Sequence, residues 1–262
     1  METLRALTAA DLPACLDLAA DRDWPREEAK WRFLLRVGSG FGAFDGERLV
    51  GTAIVTRFGD IHTVLSMVLV ARSHGGRGLG RRVVAHALAF AGTPVASLCA
   101  TPLGRPLYEK LGFREVGRLA GHFGVLTAPP SGATRPAARA DRARLVAEDA
   151  EVFGADRSAL WAELFDFAHE VRVAEGGFAA SWRDTDRLVV GPVVADSVEV
   201  AKALIADVAG AGPARVDVAD PDLAAWLAAH GMPARFDVAR MVRGEPAGAR
   251  DRLYAPVMQA LG

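Results

Sequence analysis

The chemistry suggested by this sequence is concentrated in the stretch VLVARSHGGRGLGRRVV, residues 68–84. Its four glycines, Gly75, Gly76, Gly78 and Gly80, lie between an apolar segment typical of a strand and one typical of a helix. Glycine lets the backbone adopt positive φ and brings N–H groups close to a ligand. The first turn of a helix adds N–H donors without partners and a partial positive charge. The stretch therefore predicts a binding site for phosphate or pyrophosphate.

The charge around this segment favours the same ligand. No Asp or Glu occurs between Ile61 and Tyr108, although the whole chain has a formal net charge of −1. A local excess of positive charge in a nearly neutral chain indicates an anionic ligand, and an ordinary solvated basic face is the alternative. The arginines of this window are Arg72, Arg77, Arg81, Arg82 and Arg105.

Two common phosphate-binding motifs do not fit the segment. A P-loop requires Lys and then Ser or Thr after its last glycine, but Gly80 is followed by two arginines. A dinucleotide fingerprint requires a third glycine and an acidic residue about 20 positions later. Val83 occupies the position of that glycine, and the window without acids excludes the ribose partner.

The surrounding pattern alternates strands and helices. A capping-box pattern predicts a first helix over residues 8–20, and apolar spacing predicts a second over residues 26–36. The dipeptide Asp45-Gly46 between apolar runs predicts a hairpin. Residues 61–70 have the composition of a long strand, and residues 81–90 have one apolar helical face. These elements place the glycine segment between a strand and a helix.

A second motif, ATPLGRPLYEKLGF, occupies residues 100–113 and predicts a short helix that ends at Gly112. Together with residues 68–84, it resembles two motifs of the GNAT N-acetyltransferase superfamily. The first is the acetyl-CoA signature, Q/R-x-x-G-x-G/A at the start of a helix, and the second is a later helix containing a tyrosine. The order and spacing match, and the resemblance covers roughly residues 1–127. Gly75 stands where the signature has Gln or Arg.

The resemblance implies acetyl-CoA as the acyl donor and no metal. It implies that backbone amides of residues 76–81 hold the pyrophosphate and that the backbone of residues 68–70 pairs with the pantetheine arm. Thr101 stands where many relatives have Asn, and Arg105 is either a phosphate contact or a solvated helix residue. The implied contacts are Val68, Leu69, Val70, Gly75, Gly76, Arg77, Gly78, Leu79, Gly80, Arg81, Thr101 and Arg105.

The resemblance also implies a catalytic acid. Tyr108 occupies the family's tyrosine position, and the only other tyrosine is Tyr254. Ordinary pKa values of about 10 for tyrosine and about 8.5 for a thiol make proton transfer to the leaving thiolate uphill by about 2 kcal/mol. That cost is small beside a catalytic barrier, so we expect Tyr108 to act as the acid. The alternative is a packing role for Tyr108.

The general base and the acceptor site are less defined. Many relatives carry a glutamate on the strand before the glycine loop, but this chain has none there. Ordered water, Asp60, His62, His122 and the second half of the chain remain as alternatives. Trp24 and Trp31 precede the first strand pair, where this superfamily forms its acceptor wall. They are the candidate substrate-binding residues, with core packing as the alternative for at least one.

The second half repeats the first in a weaker form. An offset of 119 residues places Gly112 on Gly231 and Tyr108 on Leu227. The loop GPVVADSVE replaces the glycine segment and adds acidic residues, which disfavours a second acetyl-CoA site. We therefore expect a GNAT domain over residues 1–127, a linker over 128–140 and a degenerate GNAT-like domain over 141–262. The helical residues Glu163, Asp166, His169 and Glu170 are candidates to contact an amine across the cleft, with solvation as the alternative.

Composition sets the remaining expectations. Half of the chain is hydrophobic, which is enough for substantial cores, and Cys15 and Cys99 match no metal or redox spacing. No signal pattern or membrane-length apolar run is present, so we expect a cytoplasmic protein, monomeric or homodimeric, with no nucleic-acid or membrane partner.

The predicted fold is α/β (α+β), with two tandem GNAT-like domains, each a mixed central sheet flanked by helices. The predicted function is transfer of acetyl from acetyl-CoA to a primary amine of a small molecule or peptide, by direct attack in a ternary complex. The alternative is a non-catalytic acetyl-CoA-binding sensor or scaffold.

Overall fold

The computed structural model describes residues 2–262, which form two similar successions of strands and helices. The first half contains β1 (Thr3–Ala6), α1 (Leu12–Asp21), α2 (Glu28–Val37), β2 (Ser39–Asp45), β3 (Arg48–Phe58), β4 (His62–Val70), α3 (Leu79–Ala91), β5 (Val95–Ala100), α4 (Arg105–Glu109) and β6 (Arg114–Val125). The predicted helices, the hairpin and the long strand before the glycine segment are all present.

The second half follows the same order. It contains β7 (Arg135–Pro136), α5 (Arg142–Phe153), α6 (Ser158–Phe167), β8 (Glu170–Ala174), β9 (Gly177–Arg183), β10 (Leu188–Ala195), α7 (Val198–Val208), β11 (Pro213–Val218), α8 (Pro221–Ala229), β12 (Ala234–Arg243) and β13 (Leu253–Ala255). The segment 128–140, expected as a linker, contains β7, which pairs with β8.

The internal duplication extends to the start of each half. Thr8 N–H donates to Asp11 Oδ2 at 2.8 Å, and Arg5 forms an ion pair with the same carboxylate. In the second half, Ala138 N–H donates to Asp141 Oδ2 at 2.7 Å, and Arg135 takes the place of Arg5. In both halves the aspartate thus receives an amide that precedes a helix, which is half of a capping box.

All strands belong to one mixed sheet in which the two halves exchange a strand. The order is β1-β2-β3-β4-β5-β12-β6-β11-β10-β9-β8-β7, with β13 beside β10. Strand β12 of the second half lies antiparallel to β5, and β6 of the first half lies antiparallel to β11. The boundary near residue 128 therefore divides the chain in sequence but not the sheet.

Helices cover both faces of the sheet. The predicted apolar face of α3 is buried through Val83, Val84 and Ala87, and α3 packs on β2, β3 and β4. Helices α1 and α2 also pack on β3, and α2 contacts α6 of the second half. The rings of Phe33 and Phe167 stack with centroids 4.2 Å apart at that contact. No helix within residues 2–262 is long and apolar enough to cross a membrane.

Candidate active site at the fork of β4 and β5

Strands β4 and β5 form a fork. They pair in parallel only from His62 opposite Val95 to Val64 opposite Ser97. Beyond Val64, β4 continues to Val70 with β3 as its paired neighbour, and β5 pairs on its other side with β12. The residues 68–70 expected to pair with the pantetheine arm lie on this open part of β4. The fork therefore leaves one edge of β4 available for hydrogen bonds to an extended ligand.

A β-bulge lies on β4 just before those residues. Thr52 pairs with Leu69 and Ile54 with Ser66, so two β4 residues oppose one residue of β3. Met67 has φ of +48°, a conformation that few residues other than glycine adopt. The buried Thr52 hydroxyl donates to the Met67 carbonyl oxygen at 2.8 Å and holds the bulge in place. The bulge reorients the backbone amides at the fork.

The glycine segment forms an open loop that leads into α3. Gly76 and Gly78 have φ of +74° and +78°, and Gly78 is the N-cap of the helix. A Cβ built on either glycine would meet no atom within 4 Å, so the loop is bordered by open space. Gly75 is extended, with φ of −64°, and does not require glycine for its conformation. A Cβ built on Gly80 would lie in ordinary van der Waals contact with Val70 and Leu107, at 3.4 and 3.5 Å.

The loop also presents unpaired backbone donors. Within residues 2–262, the amides from Gly76 to Arg81 have no protein acceptor, and the first recorded bond of the helix is Arg82 N–H to the Gly78 carbonyl at 3.2 Å. These amides lie at the positive end of the α3 dipole. Successive amides at such an end form an anion-binding concavity. The geometry therefore fits a phosphate or pyrophosphate group.

The arginines of the acid-free window fall into two groups. Arg72 pairs with Asp23, Arg82 with Glu2 at 2.7 Å, and Arg105 with Glu109 and Glu115. Within the described chain, the exposed Arg77 and Arg81 have no carboxylate partner. Of the window's arginines, these two bring uncompensated charge to the loop.

The second motif lies beside the loop in α4. Thr101 Oγ1 accepts from Gly104 N–H at 3.2 Å and thereby helps to start the helix. The Tyr108 side chain is buried, and its ring packs edge-on against Phe113 with centroids 6.0 Å apart. No hydrogen-bond partner within residues 2–262 is recorded for its hydroxyl. Burial raises the pKa of Tyr108 above the usual range, so the phenol stays protonated at neutral pH.

The histidines considered as bases are both buried. His62 Nε2 lies 2.8 Å from Ser97 Oγ, and burial together with Arg250 and Arg157 lowers the pKa of His62 to about 3. His122 lies on β6, and its Nδ1 donates to the Met232 carbonyl oxygen at 2.8 Å. A histidine with so low a pKa is a weak proton acceptor.

The remaining candidates are dispersed. Asp60 is exposed in the turn before β4 and pairs with Arg57. Trp31 is fully buried in the core, whereas Trp24 is partly exposed. Glu163 pairs with Arg36 of α2, so it joins the two halves at their helical contact.

Of the other second-half candidates, Asp166 lies on α6, whereas His169 and Glu170 were expected on a helix but follow its end, with Glu170 in β8. Glu170 pairs with Arg172, His169 Nε2 lies 3.5 Å from Arg183, and Asp166 is exposed.

A cavity of about 190 Å³ opens beside the fork, on the side covered by the second half. Val64 and Ser97, the last paired residues of β4 and β5, lie in its wall. Burial raises the pKa of Cys99, also in the wall, to about 12, which leaves the thiol protonated. Arg240 of β12 and Arg250 complete its polar lining. Sequence reasoning missed these arginines because the strand exchange brings them to the fork.

The corresponding fork of the second half is filled by the chain itself. Strands β10 and β11 pair in parallel from Leu188 to Val190, and β13 then pairs with β10 through Val193 and Val194. The following helix α7 has Ser197 as its N-cap, and Ser197 Oγ accepts from Val200 N–H at 3.3 Å. Neither an open strand edge nor a glycine loop is available there.

Comparison with known proteins matches each half of the chain to a GNAT model. Residues 3–113 match the model of the Acetyltransferase (GNAT) family, and residues 145–255 match that of an Acetyltransferase (GNAT) domain. An uncharacterized N-acetyltransferase, YitH of Bacillus subtilis (strain 168), is 30% identical over 218 residues, covering 78% of this chain and 77% of that protein. The chain belongs to the GNAT acetyltransferase family. The two GNAT units follow one another along the chain. The general chemistry of the family is acyl transfer.

Solved GNAT structures have the same fold. A putative acetyltransferase from Pyrococcus horikoshii superposes with a TM-score of 0.86 at 20% identity, covering 100% of this chain and 96% of its own. A tandem GNAT protein from the clavulanic acid biosynthesis pathway superposes with a TM-score of 0.66 at 16% identity, covering 95% and 99%. At such identities the likeness concerns the fold, which is that of tandem GNAT proteins.

Proposed function

We propose that this GNAT protein transfers an acetyl group from acetyl-CoA to a primary amine at the β4–β5 fork. The observation that carries the proposal is the continuous row of unpaired amides from Gly76 to Arg81 at the N-terminus of α3. The pyrophosphate of the donor binds these amides, with Arg77 and Arg81 adding charge. The pantetheine arm pairs with the open edge of residues 68–70, which directs the thioester to the fork.

The reaction is a direct attack in a ternary complex. The amine nitrogen forms a bond to the thioester carbonyl carbon, and negative charge develops on the carbonyl oxygen. A backbone amide of the bulge at Met67 donates to that oxygen. Collapse of the tetrahedral species breaks the carbon–sulfur bond and releases the thiolate of CoA. The nitrogen loses one proton to ordered water, because His62 is too weak a base.

Tyr108 donates its proton to the departing sulfur. Its side chain is buried, and its hydroxyl has no protein hydrogen-bond partner in residues 2–262 and stays protonated at neutral pH. Burial makes the phenol a weaker acid, so the step costs more than the 2 kcal/mol or so expected from ordinary pKa values. A thiolate that forms in the same dry site is destabilised by the same burial, which offsets part of this cost.

The second half closes the acceptor side of the fork instead of binding a second donor. Helix α6 packs on α2, and residues 246–262 cover β4 and β5 at the cavity. Thr101, Arg105 and Trp24 remain candidates for donor or acceptor contacts.

Mixing the protein with acetyl-CoA and a panel of primary amines tests the proposal. We expect thiol release that depends on the amine and saturates with acetyl-CoA. Calorimetry of the same protein with CoA provides the binding readout. Binding without amine-dependent thiol release would indicate a sensor, and absence of binding would refute the site itself.

A further inference from the structure

The cavity beside the fork has a charge that the acyl-transfer chemistry does not require. Its wall combines β4 and β5 with β12 and the C-terminal segment 246–262. Its lining, all within the described chain, includes Arg240 and Arg250 but neither Asp nor Glu. An active site for a simple cationic amine would be expected to offer carboxylates. This cavity offers two guanidinium groups instead.

Arg250 is half-buried and has no carboxylate partner within residues 2–262. Its guanidinium donates to the Phe153 carbonyl at 2.6 Å and lies 4.2 Å from the centroid of the Phe153 ring. Burial, then Arg157 and Arg240, lowers the pKa of Arg250 to about 10. A charge removed from water without a counter-ion is costly. A bound anion would remove that cost.

The neighbouring arginines, unlike Arg250, are paired with carboxylates. Arg157 is fully buried but is held by both oxygens of Asp149, at 2.6 and 2.8 Å. Arg252 pairs with Glu148 at 2.8 Å and with Asp196 at 2.7 Å. The chain therefore neutralises both neighbours with carboxylates and leaves Arg250, which faces the cavity, without one.

Two further donors in the cavity wall lack acceptors. The Arg240 side chain makes no hydrogen bond or ion pair with residues 2–262, and the buried Nε2 group of Gln259 has no partner there. The Gly262 carbonyl oxygen, which also borders the cavity, accepts from Arg157 at 3.1 Å. Arg250 donates to the carbonyl oxygens of Phe153 and Ala247 but to no carboxylate, so both guanidinium groups face the cavity without a counter-ion within residues 2–262. A buried donor such as Gln259 Nε2 is normally satisfied, and two guanidinium groups without a counter-ion beside it point to an anionic ligand.

We propose that the acceptor amine carries an anionic group, a carboxylate or a phosphate, which Arg240 and Arg250 bind in this cavity. The inference rests on the proposed function, since it names the substrate class of the same site. A group held by these arginines lies beside Val64 and Ser97, where β4 and β5 separate. The amine of such a molecule can therefore reach the fork.

The size and charge of the cavity narrow the acceptor further. A volume of about 190 Å³ is smaller than the roughly 300–1,000 Å³ of sites for drug-sized ligands. It suits a molecule of amino-acid size. Polyamines and aminoglycosides carry several positive charges, which two unpaired arginines repel.

Matched pairs of acceptors test the inference. Alanine is compared with ethylamine, lysine with cadaverine, and phosphoethanolamine with ethanolamine, by thiol release with acetyl-CoA. We expect kcat/KM to be at least about tenfold higher for the anionic member of a pair. A preference within the amino-acid pairs identifies a carboxylate, and one within the ethanolamine pair identifies a phosphate. Equal or faster turnover of the amines without an anionic group overturns the inference.

Variants connect the preference to the cavity. Arg240→Gln is expected to raise KM for the anionic acceptor about tenfold or more, with KM for acetyl-CoA unchanged. The Arg240 side chain makes no hydrogen bond within residues 2–262, and the substitution keeps the backbone pairing of β12, so we expect the fold to stay intact. Arg243→Gln is the matched control on the same strand, because Arg243 lies over the Phe113 ring outside the cavity. An equal effect of both variants contradicts the assignment.

Binding measurements separate the two proposals. Calorimetry measures CoA and the preferred anionic amine with the free protein and with Arg240→Gln. CoA binding without any preference for anionic amines overturns this inference and leaves the donor site in place. Absence of CoA binding and of thiol release overturns the proposed function, and this inference with it.

Discussion

The two forks of the molecule have the same strand arrangement, but one is open and the other is filled by a strand. In the first half, β4 and β5 separate after Val64 and leave the edge of β4 open. In the second half, β10 and β11 separate after Val190, and β13 pairs with β10 in the opening. The last strand of the chain thus occupies the place where a pantetheine arm would pair in the first half. One fork is open, and the other is closed by its own polypeptide.

The loops that follow the forks differ in the same sense. Gly78 starts α3 without a side chain and leaves the helix amides unpaired, whereas Ser197 starts α7 and caps Val200 N–H. Acidic residues Asp196 and Glu199 adjoin the second loop and would repel phosphate. The comparison teaches how a duplicated GNAT unit keeps its fold without a ligand. In the second unit, Ser197 and β13 form the hydrogen bonds to the backbone that a bound donor would form in the first.

The largest effect is expected at the open loop. Gly78→Asp should lower acetyl-CoA affinity roughly 100-fold or more, about 2.7 kcal/mol, because it places a carboxylate beside the pyrophosphate. Gly92→Asp is the control, since Gly92 at the other end of α3 also has positive φ and open space around it. Calorimetry should show loss in the first variant alone. Equal affinities of the two variants would place the donor elsewhere.

Tyr108, whose counterpart in the second unit is Leu227, provides the next test. Tyr108→Phe should lower kcat roughly 10- to 100-fold and leave KM for acetyl-CoA nearly unchanged, because it removes the proton donor alone. Tyr254→Phe, in the strand that fills the second fork, should turn over like the parent protein. Steady-state kinetics with one amine measures both variants. Normal turnover of Tyr108→Phe would mean that another group protonates the thiolate.

The two forks differ at the first residue pair of their parallel strands, where only the first fork has a titratable side chain. His62 forms the first parallel pair of β4 and β5, whereas Leu188 forms that of β10 and β11. Because the pKa of His62 in the fold, about 3, lies below the ordinary 6.5, only the unfolded chain takes up a proton between these values. Stability from this group is therefore present above pH 6.5 and is lost as the pH falls toward 3.

This loss can be measured by denaturant unfolding. Between pH 7 and pH 5, the free energy of unfolding should fall by about 2 kcal/mol more in the parent than in His62→Gln, which keeps a hydrogen-bonding side chain beside Ser97. Parallel pH profiles of the two proteins would show that His62 becomes charged in the folded state.

The smallest effect is expected at the closed fork. Ser197→Ala should cost about 1 kcal/mol of stability, since it removes the cap of α7. Acetyl-CoA affinity should not change, because this helix start binds no donor. Thermal unfolding and calorimetry provide the two readouts. A change in affinity would show that the second unit takes part in donor binding.

Local patterns allowed much of this architecture to be predicted from the sequence. The spacing of Gly76, Gly78 and Gly80 predicted a loop leading into a helix, and the alternation of Val83, Val84 and Ala87 with polar residues predicted its buried face. Both features depend on neighbours a few residues apart, where chain geometry leaves few alternatives.

Features that depend on the choice of a distant partner could not be predicted. The alternating residues of β6 and β12 suit either neighbouring strand, so the pattern alone does not reveal their exchange. The meeting of Arg240 and Arg250 at the fork follows from that exchange. The filling of the second fork by β13 depends on three residues, too short a segment for a periodicity signal.

The exchange of β6 and β12 has a consequence for how the protein acquires its structure. Leu98 of β5 meets Met241 of β12, so these strands are separated by more than half of the chain. Pairing over such separations slows folding, because the intervening loop must be closed first. During synthesis, an emerging N-terminal half would have its β5 edge uncovered until β12 leaves the ribosome. That edge is then exposed to aggregation, and a chaperone that shields it would raise the yield of native protein.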